Sequence, residues 1–253
     1  MVDLHAHVHA FPLPLRRVTA EDLLRAMDRH GVAVTAVSSA EAIVCDAETG
    51  NAALARDVAR HDRLRGYVFA NPTSVAEARE QVRRYLGEER FIGVKMYSGA
   101  YVGRPLSCRE HLEILQTVAE EFPWALVLFH CGENDPANFA GLAEVAGRFP
   151  ELSFIAGHMG SKLWRQALPV LSERANIVAE ISAPVPARTR IEDAVRIMGP
   201  ERVVFGSDFP LISQGYMLGC VRDAQVGQEE KGMILRRNAE GLLARVEAGR
   251  AGR

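Results

Sequence analysis

Eight short apolar runs, separated at fairly even spacing by amphipathic stretches, constrain this chain more than any other feature of its sequence. The runs cover residues 2–9, 33–40, 64–71, 92–97, 125–132, 153–160, 176–182 and 202–208, and all are rich in Val, Ile, Phe and Ala. They are continuous rather than alternating, which suits strands covered on both faces. Helical periodicity fills the intervals. In 20–30, Leu23, Leu24 and Met27 share one face, and Thr19 with Asp22 makes a candidate capping box. Similar patterns occupy 52–61, 75–86, 109–122, 139–149, 164–174 and 191–198, and a longer terminal helix, 229–246, contains Gly232 as a weak point. Eight βα pairs demand parallel strands joined by right-handed crossovers, so the choice lies between a closed barrel and an open doubly wound sheet.

The 253 residues lie close to the length of about 250 typical of one (β/α)8 barrel. A single domain is expected over 1–247, with 248–253 as a frayed tail. At 48% hydrophobic and 25% charged residues, the chain has the composition of an ordinary globular protein. Lys plus Arg number 30 against 32 for Asp plus Glu, and a net charge of -2 gives no field that would gather nucleic acid or an anionic membrane. No apolar run approaches the roughly 20 residues that span a bilayer. Cys45, Cys108, Cys131 and Cys220 form no CxxC pair, and no signal peptide precedes the first strand, so a reduced, cytoplasmic protein is expected. The expected partner is a small-molecule substrate. Apolar residues after the last strand, Leu211, Tyr216, Met217 and Leu218, suggest a subunit contact of a homodimer or a pocket lid.

Chemistry gathers at the ends of the apolar runs. His5 and His7 are two apart, and the period of a strand points both to one face. His130, His158 and Asp208 close three further runs. Ionisable groups in such places are costly unless paired or ligated, and strand ends surround the active site of a (β/α)8 barrel. That placement favours the TIM barrel. Lys95 ends the fourth run. Tyr97, Tyr101 and Arg104 follow it beside Gly99 and Gly103, a composition suited to a substrate loop. Glu133 and Glu180 are candidates for contacts to substrate or to the residues around a metal, and Arg188 and Arg190 either meet an anionic substrate or begin a helix.

The ordered set Asp3-Leu4-His5-Ala6-His7, Gly93-Val94-Lys95, His130-Cys131-Gly132-Glu133, Gly157-His158-Met159-Gly160, Arg202-Val203-Val204-Phe205-Gly206-Ser207-Asp208-Phe209-Pro210 and Arg237-Asn238-Ala239 resembles the amidohydrolase superfamily over essentially the whole chain. The resemblance is to its amidohydrolase-related branch, which includes aminocarboxymuconate-semialdehyde decarboxylase and assorted small hydrolases. It implies His5, His7, His130 and Asp208 as ligands of one divalent ion, with Zn2+ the first expectation and Mn2+, Fe2+ or Co2+ compatible. It implies His158 acting on substrate and Asp208 handling the proton; beside it, Lys95, Tyr97 and Glu133 are the expected substrate contacts. In two-metal relatives the lysine at the Lys95 position is carbamoylated and bridges a second ion. The expected reaction is hydrolysis of an ester, lactone or amide by a metal-activated water. Decarboxylation of a small unsaturated or aromatic acid is the alternative, followed by a metal-independent lactonase or a non-catalytic binding barrel.

Overall fold

The computed structural model describes residues 1–11, 17–99, 101–132, 135–183, 185, 187 and 189–252. Eight parallel strands stand in sequence order: β1 (Val2–Val8), β2 (Val34–Ser39), β3 (Leu64–Phe69), β4 (Phe91–Met96), β5 (Leu126–His130), β6 (Ser153–Gly157), β7 (Ile177–Glu180) and β8 (Val203–Val204). The last strand returns to the first through Leu4 N to Phe205 O at 3.0 Å, Ser207 N to His5 O at 3.2 Å and His7 N to Phe209 O at 2.6 Å. Consecutive order and this closure make the molecule a (β/α)8 barrel and exclude the doubly wound sheet.

The helices are α1 (Ala20–His30), α2 (Ala40–Val44), α3 (Ala47–Arg60), α4 (Val75–Leu86), α5 (Arg109–Glu121), α6 (Pro136–Arg148), α7 (Trp164–Ser172), α8 (Arg190–Met198), α9 (Gln214–Asp223), α10 (Gln228–Gly232) and α11 (Asn238–Ala251). The Thr19–Asp22 capping box is present, and α1 ends on Gly31 in the left-handed region. Both α3 and α6 begin earlier than their apolar periodicity suggests. Asp46 caps Thr49 N in one and Asp135 caps Ala137 N in the other, so polar first turns extend the helices.

Further expectations change. The strand expected over 202–208 is two residues long, and past it Asp208 turns left-handed (φ 58°). The sixth strand stops at Gly157, after which His158–Leu163 forms a tight turn with left-handed residues at 158–161. Met217 and Leu218, expected as surface, are buried in α9, which packs on α1; of the four, only Leu211 and Tyr216 remain exposed. At the other end, α11 runs on to Ala251, where Arg250 lies 4.1 Å over the Trp124 ring and bonds to Glu88 O and Phe91 O.

An outer core fills the space between strands and helices, and a second cluster joins Leu4, Tyr67, Leu128, Ile155 and Val204 to Ala239, Leu242 and Val246 of α11. That apolar plug lies towards the strand starts and leaves the polar groups for the C-terminal mouth. Among the described residues, no helix is long and apolar enough to cross a membrane.

Candidate metal centre and active site

The register of β1 against β2 slips between Asp3 and Ala6, His5 and His7 both reach the mouth of the barrel, and Asp3, His5 and His7 are all buried. His5 Nε2 and His7 Nε2 lie 3.7 Å and 3.3 Å from Asp208 Oδ1, so the ends of β1 and β8 face one another across the mouth. Lys95 Nζ, from β4, lies 3.1 Å from His5 Nε2. His158 enters from the turn after β6, its ring 4.9 Å from that of His5, and its Nε2 is 3.2 Å from His130 Nδ1. The donor atoms of His5, His158 and Asp208 all fall within 4.8 Å of one another. His130 meets this group through His158 and stacks at 4.4 Å on Tyr97.

The imidazoles are oriented from behind. Glu180 Oε2, at the end of β7, accepts from His5 Nδ1 at 2.8 Å, from His158 N at 3.1 Å and from the Ser182 hydroxyl at 2.8 Å. Ser38, paired with His7 across the β1–β2 ladder, places its Oγ 2.9 Å from His7 Nδ1. The Ser182 carbonyl accepts from His158 Nδ1 at 3.0 Å. Asp3 binds His5 N, Ser207 N, Ser207 Oγ and Gln214 Nε2, locking the strand that carries the histidines to the segment that carries Asp208.

Burial dominates the electrostatics. It pushes His5 and His130 well below the ordinary histidine value, His158 to about 4, and His7 lower as well, leaving neutral rings with lone pairs. Burial also lowers Lys95 to about 8, against the pull of Asp208 and Glu180. It raises Glu180 to about 7 and Asp3 to about 6. For Asp208, burial works upward, but neighbouring His158 and the hydrogen bond from His7 outweigh it, and the carboxyl stays ionised.

Neutral imidazoles whose second nitrogen is anchored, beside an ionised carboxylate, form a donor set for a divalent transition metal. The spacing of the His5, His158 and Asp208 donors approaches what one ion with bonds of about 2.1 Å can span. The residues therefore fit the group.

A cavity of about 100 Å3 opens onto these side chains, with His7, Lys95, His130 and Asp208 beneath and Phe11, Ile43, Val44, Tyr97, Tyr101 and Leu211 around it. Close packing holds the floor in place: a Cβ on Gly132 would sit 2.6 Å from His158 Cδ2 and 2.9 Å from His130 Nε2, and one on Gly206 would sit 2.6 Å from Glu180 Cδ. The structure thus brings together His5, His7, Lys95, Tyr97, His130, His158 and Asp208. Arg104, in contrast, is exposed and paired with Glu110 at 2.6 Å. Glu133 and Arg188 lie outside the described residues. Reading the sequence left Ser38 and Ser182 unremarked; small hydroxyls at strand ends carry no periodic signal. Asp3 had one, its two-residue offset from His5.

The amidohydrolase family model matches residues 2–245. A search of curated proteins finds no match. Among solved structures, the chain is similar to 2,6-dihydroxybenzoate decarboxylase from Rhizobium, with a TM-score of 0.78 and 17% identity over 96% of this chain and 98% of that one. It is also similar to a dihydroxybenzoic acid decarboxylase from Polaromonas sp. JS666 holding manganese and 2-nitroresorcinol (TM-score 0.78, 17% identity, 96% of each chain). A third is 5-carboxyvanillate decarboxylase from Sphingomonas paucimobilis (TM-score 0.72, 15% identity, 96% of this chain and 98% of that one). At these identities the structural likeness speaks to the fold, whereas the family match follows the sequence from the first strand into the last helix: this chain belongs to the amidohydrolase family.

Proposed function

We propose that this protein is a metal-dependent decarboxylase of a small aromatic or unsaturated carboxylic acid. The observation that carries the reading is the shape and charge of the cavity: a narrow slot with aromatic and aliphatic walls whose base presents the buried Lys95 cation beside Asp208. A planar acid suits it, with the ring between Phe11 and Tyr97 and the acid group towards Lys95. The decarboxylases among the similar structures support the same reading and favour it over the hydrolysis expected from sequence.

His5, His7, His130 and Asp208, with His158 adjacent, would hold one divalent ion. When bound, such an ion supplies fixed positive charge that favours the electron pair left behind as CO2 departs. Manganese takes precedence over zinc in this proposal, since manganese occupies the Polaromonas enzyme and imidazole with carboxylate suits both. Lys95 binds and orients the acid. The apolar walls exclude water from the ring. Asp208, ionised at rest, takes up from solvent the one proton that the reaction consumes and passes it to the ring carbon that bears the carboxylate, where a π electron pair of the substrate forms the new C–H bond. The bond from that carbon to the carboxylate then breaks, its electron pair returns to the π system that gave up a pair to the new C–H bond, and CO2 leaves without any redox change.

The test is isotopic. Protein loaded with Mn2+ is incubated with 2,6-dihydroxybenzoate, 5-carboxyvanillate and other hydroxybenzoates in D2O and in H2 18O, beside a panel of aryl esters and lactones. The expected result is CO2 release, deuterium at the vacated ring carbon and no 18O in the aromatic product. Incorporation of 18O from esters or lactones, with every acid left intact, would return the reaction to hydrolysis.

A further inference from the structure

A second cavity, sharing no lining residue with the first, lies between the connection from β7 to α8 and the helix α9. It encloses about 790 Å3. Its base carries Arg190, the first residue of α8, which is only 3% exposed. Arg190 Nη1 is sealed from solvent without a hydrogen-bond partner, and among the described residues the guanidinium enters no ion pair. Burying a cation without a partner is costly, and a fold tolerates it most readily where a ligand supplies the missing anion. Glu180 is the carboxylate that acts on Arg190 electrostatically, but its oxygens are already engaged by His5, His158 and Ser182.

We propose that this cavity binds a monocarboxylate with an apolar body, its acid group held by Arg190. A guanidinium presents paired N–H donors that match a carboxylate in one plane. Val185, Ala187 and Ile191 with the Tyr216 ring offer apolar wall for the rest of the ligand. Glu192 and Asp223, which also line the cavity, repel a dianion such as phosphate more than a single negative charge and so favour the monocarboxylate between the two. The site does not rest on the decarboxylase reading, since its lining shares no residue with the cavity over the metal centre.

Cys220, another wall residue, is a partly exposed free thiol and serves as a reporter. Benzoate is the probe. Iodoacetamide labelling of Cys220 is followed by peptide mass spectrometry, with Cys108, which lines neither cavity, as the reference. At about ten times its Kd, benzoate should slow Cys220 alkylation about tenfold, in proportion to the fraction of free sites, and leave Cys108 unchanged. Benzyl alcohol, which lacks the charge, should not protect, and Arg190→Met should abolish protection at the same benzoate concentration. Unchanged labelling with benzoate, equal protection by benzyl alcohol, or full protection in Arg190→Met would each overturn the proposal. Should Arg190→Met fail to fold or Cys220 fail to react, Cys220→Phe decides by thermal denaturation. Filling the cavity while keeping Arg190 should shrink the benzoate-induced rise in Tm, and an undiminished rise overturns the site.

Discussion

Glu180 Oε2 and His5 Nδ1 meet at 2.8 Å, both side chains fully buried, and the same carboxylate oxygen receives the backbone N–H of His158. One side chain on β7 therefore sets the tautomer of a β1 histidine and pins the turn that carries a β6 histidine. Carboxylates in this position raise the basicity of the opposite ring nitrogen and hold the ring still. Glu180→Gln is expected to weaken metal binding about 10- to 100-fold with the secondary structure intact, as judged by competition with a chromophoric chelator. Unaltered affinity would show that His5 needs no such support.

Asp208 is the only carboxylate within reach of both β1 histidines among the described residues. Asp208→Asn keeps the volume but removes the proton carrier, so kcat is expected to fall about 100- to 10,000-fold. Near-normal turnover in this variant, with metal still bound, would remove Asp208 from the chemistry.

Metal stoichiometry bears on Lys95. Its Nζ stands 3.1 Å from His5 Nε2 as an unmodified amine, and burial lowers it to about 8. Protein purified without chelators should contain about one equivalent of transition metal per chain by plasma mass spectrometry. Chelation should abolish activity and Mn2+ restore it, and Lys95→Met should raise KM for acids more than it lowers kcat. Two equivalents, together with a carbamate carbon signal from 13C-bicarbonate, would instead make Lys95 a bridging ligand.

Gly132 offers a test of positioning without touching a charge. A methyl group there would press on the His158 and His130 rings at 2.6 Å and 2.9 Å. Gly132→Ala should leave the circular dichroism spectrum unchanged and lower kcat at least tenfold, the scale on which small misplacements act. Full activity would mean that the two rings shift at no cost.

Acid should destabilise the chelated protein. Burial holds His5, His7, His111, His130 and His158 below the ordinary histidine value of 6.5. For such depressed bases the unfolded chain takes up protons first as pH falls. The stability they contribute is present above 6.5 and is lost below it, at no more than about 1.4 kcal/mol per pH unit for each proton. Asp3 and Glu180, raised to about 6 and about 7, work in the opposite direction, losing stability as pH rises towards those values. Five groups outweigh two. Urea midpoints should drop from pH 6.5 to 5.5, and His111→Gln, remote from the metal centre, should reduce that drop. A flat profile across this interval would contradict the burial of the histidines.

The eight βα units were legible because their signal is local and repeated: continuous apolar runs and a 3.6-residue period survive without any knowledge of contacts. Strand-end histidines were equally legible, since parallel strands send their C-terminal ends to one mouth and alternation sets the facing of His5 and His7. What eluded the sequence was non-local or broke the pattern. The polar first turns of α3 and α6 lack apolar periodicity. β8 is short because the segment after it, with its left-handed turn at Asp208, is held by hydrogen bonds to His5 and Asp3, some two hundred residues away in the chain.

The sequence by itself determined the barrel, the ring of imidazoles and the carboxylate that completes it. Only the tertiary structure decided which second nitrogen each histidine commits to Glu180, Ser38 or Ser182, how narrow and apolar the slot above Lys95 is, and that Arg190 is buried beside a separate cavity. Periodicity reports which face a side chain takes on its own element, whereas tautomer, cavity shape and the pairing of a buried charge depend on atoms brought together from distant parts of the chain.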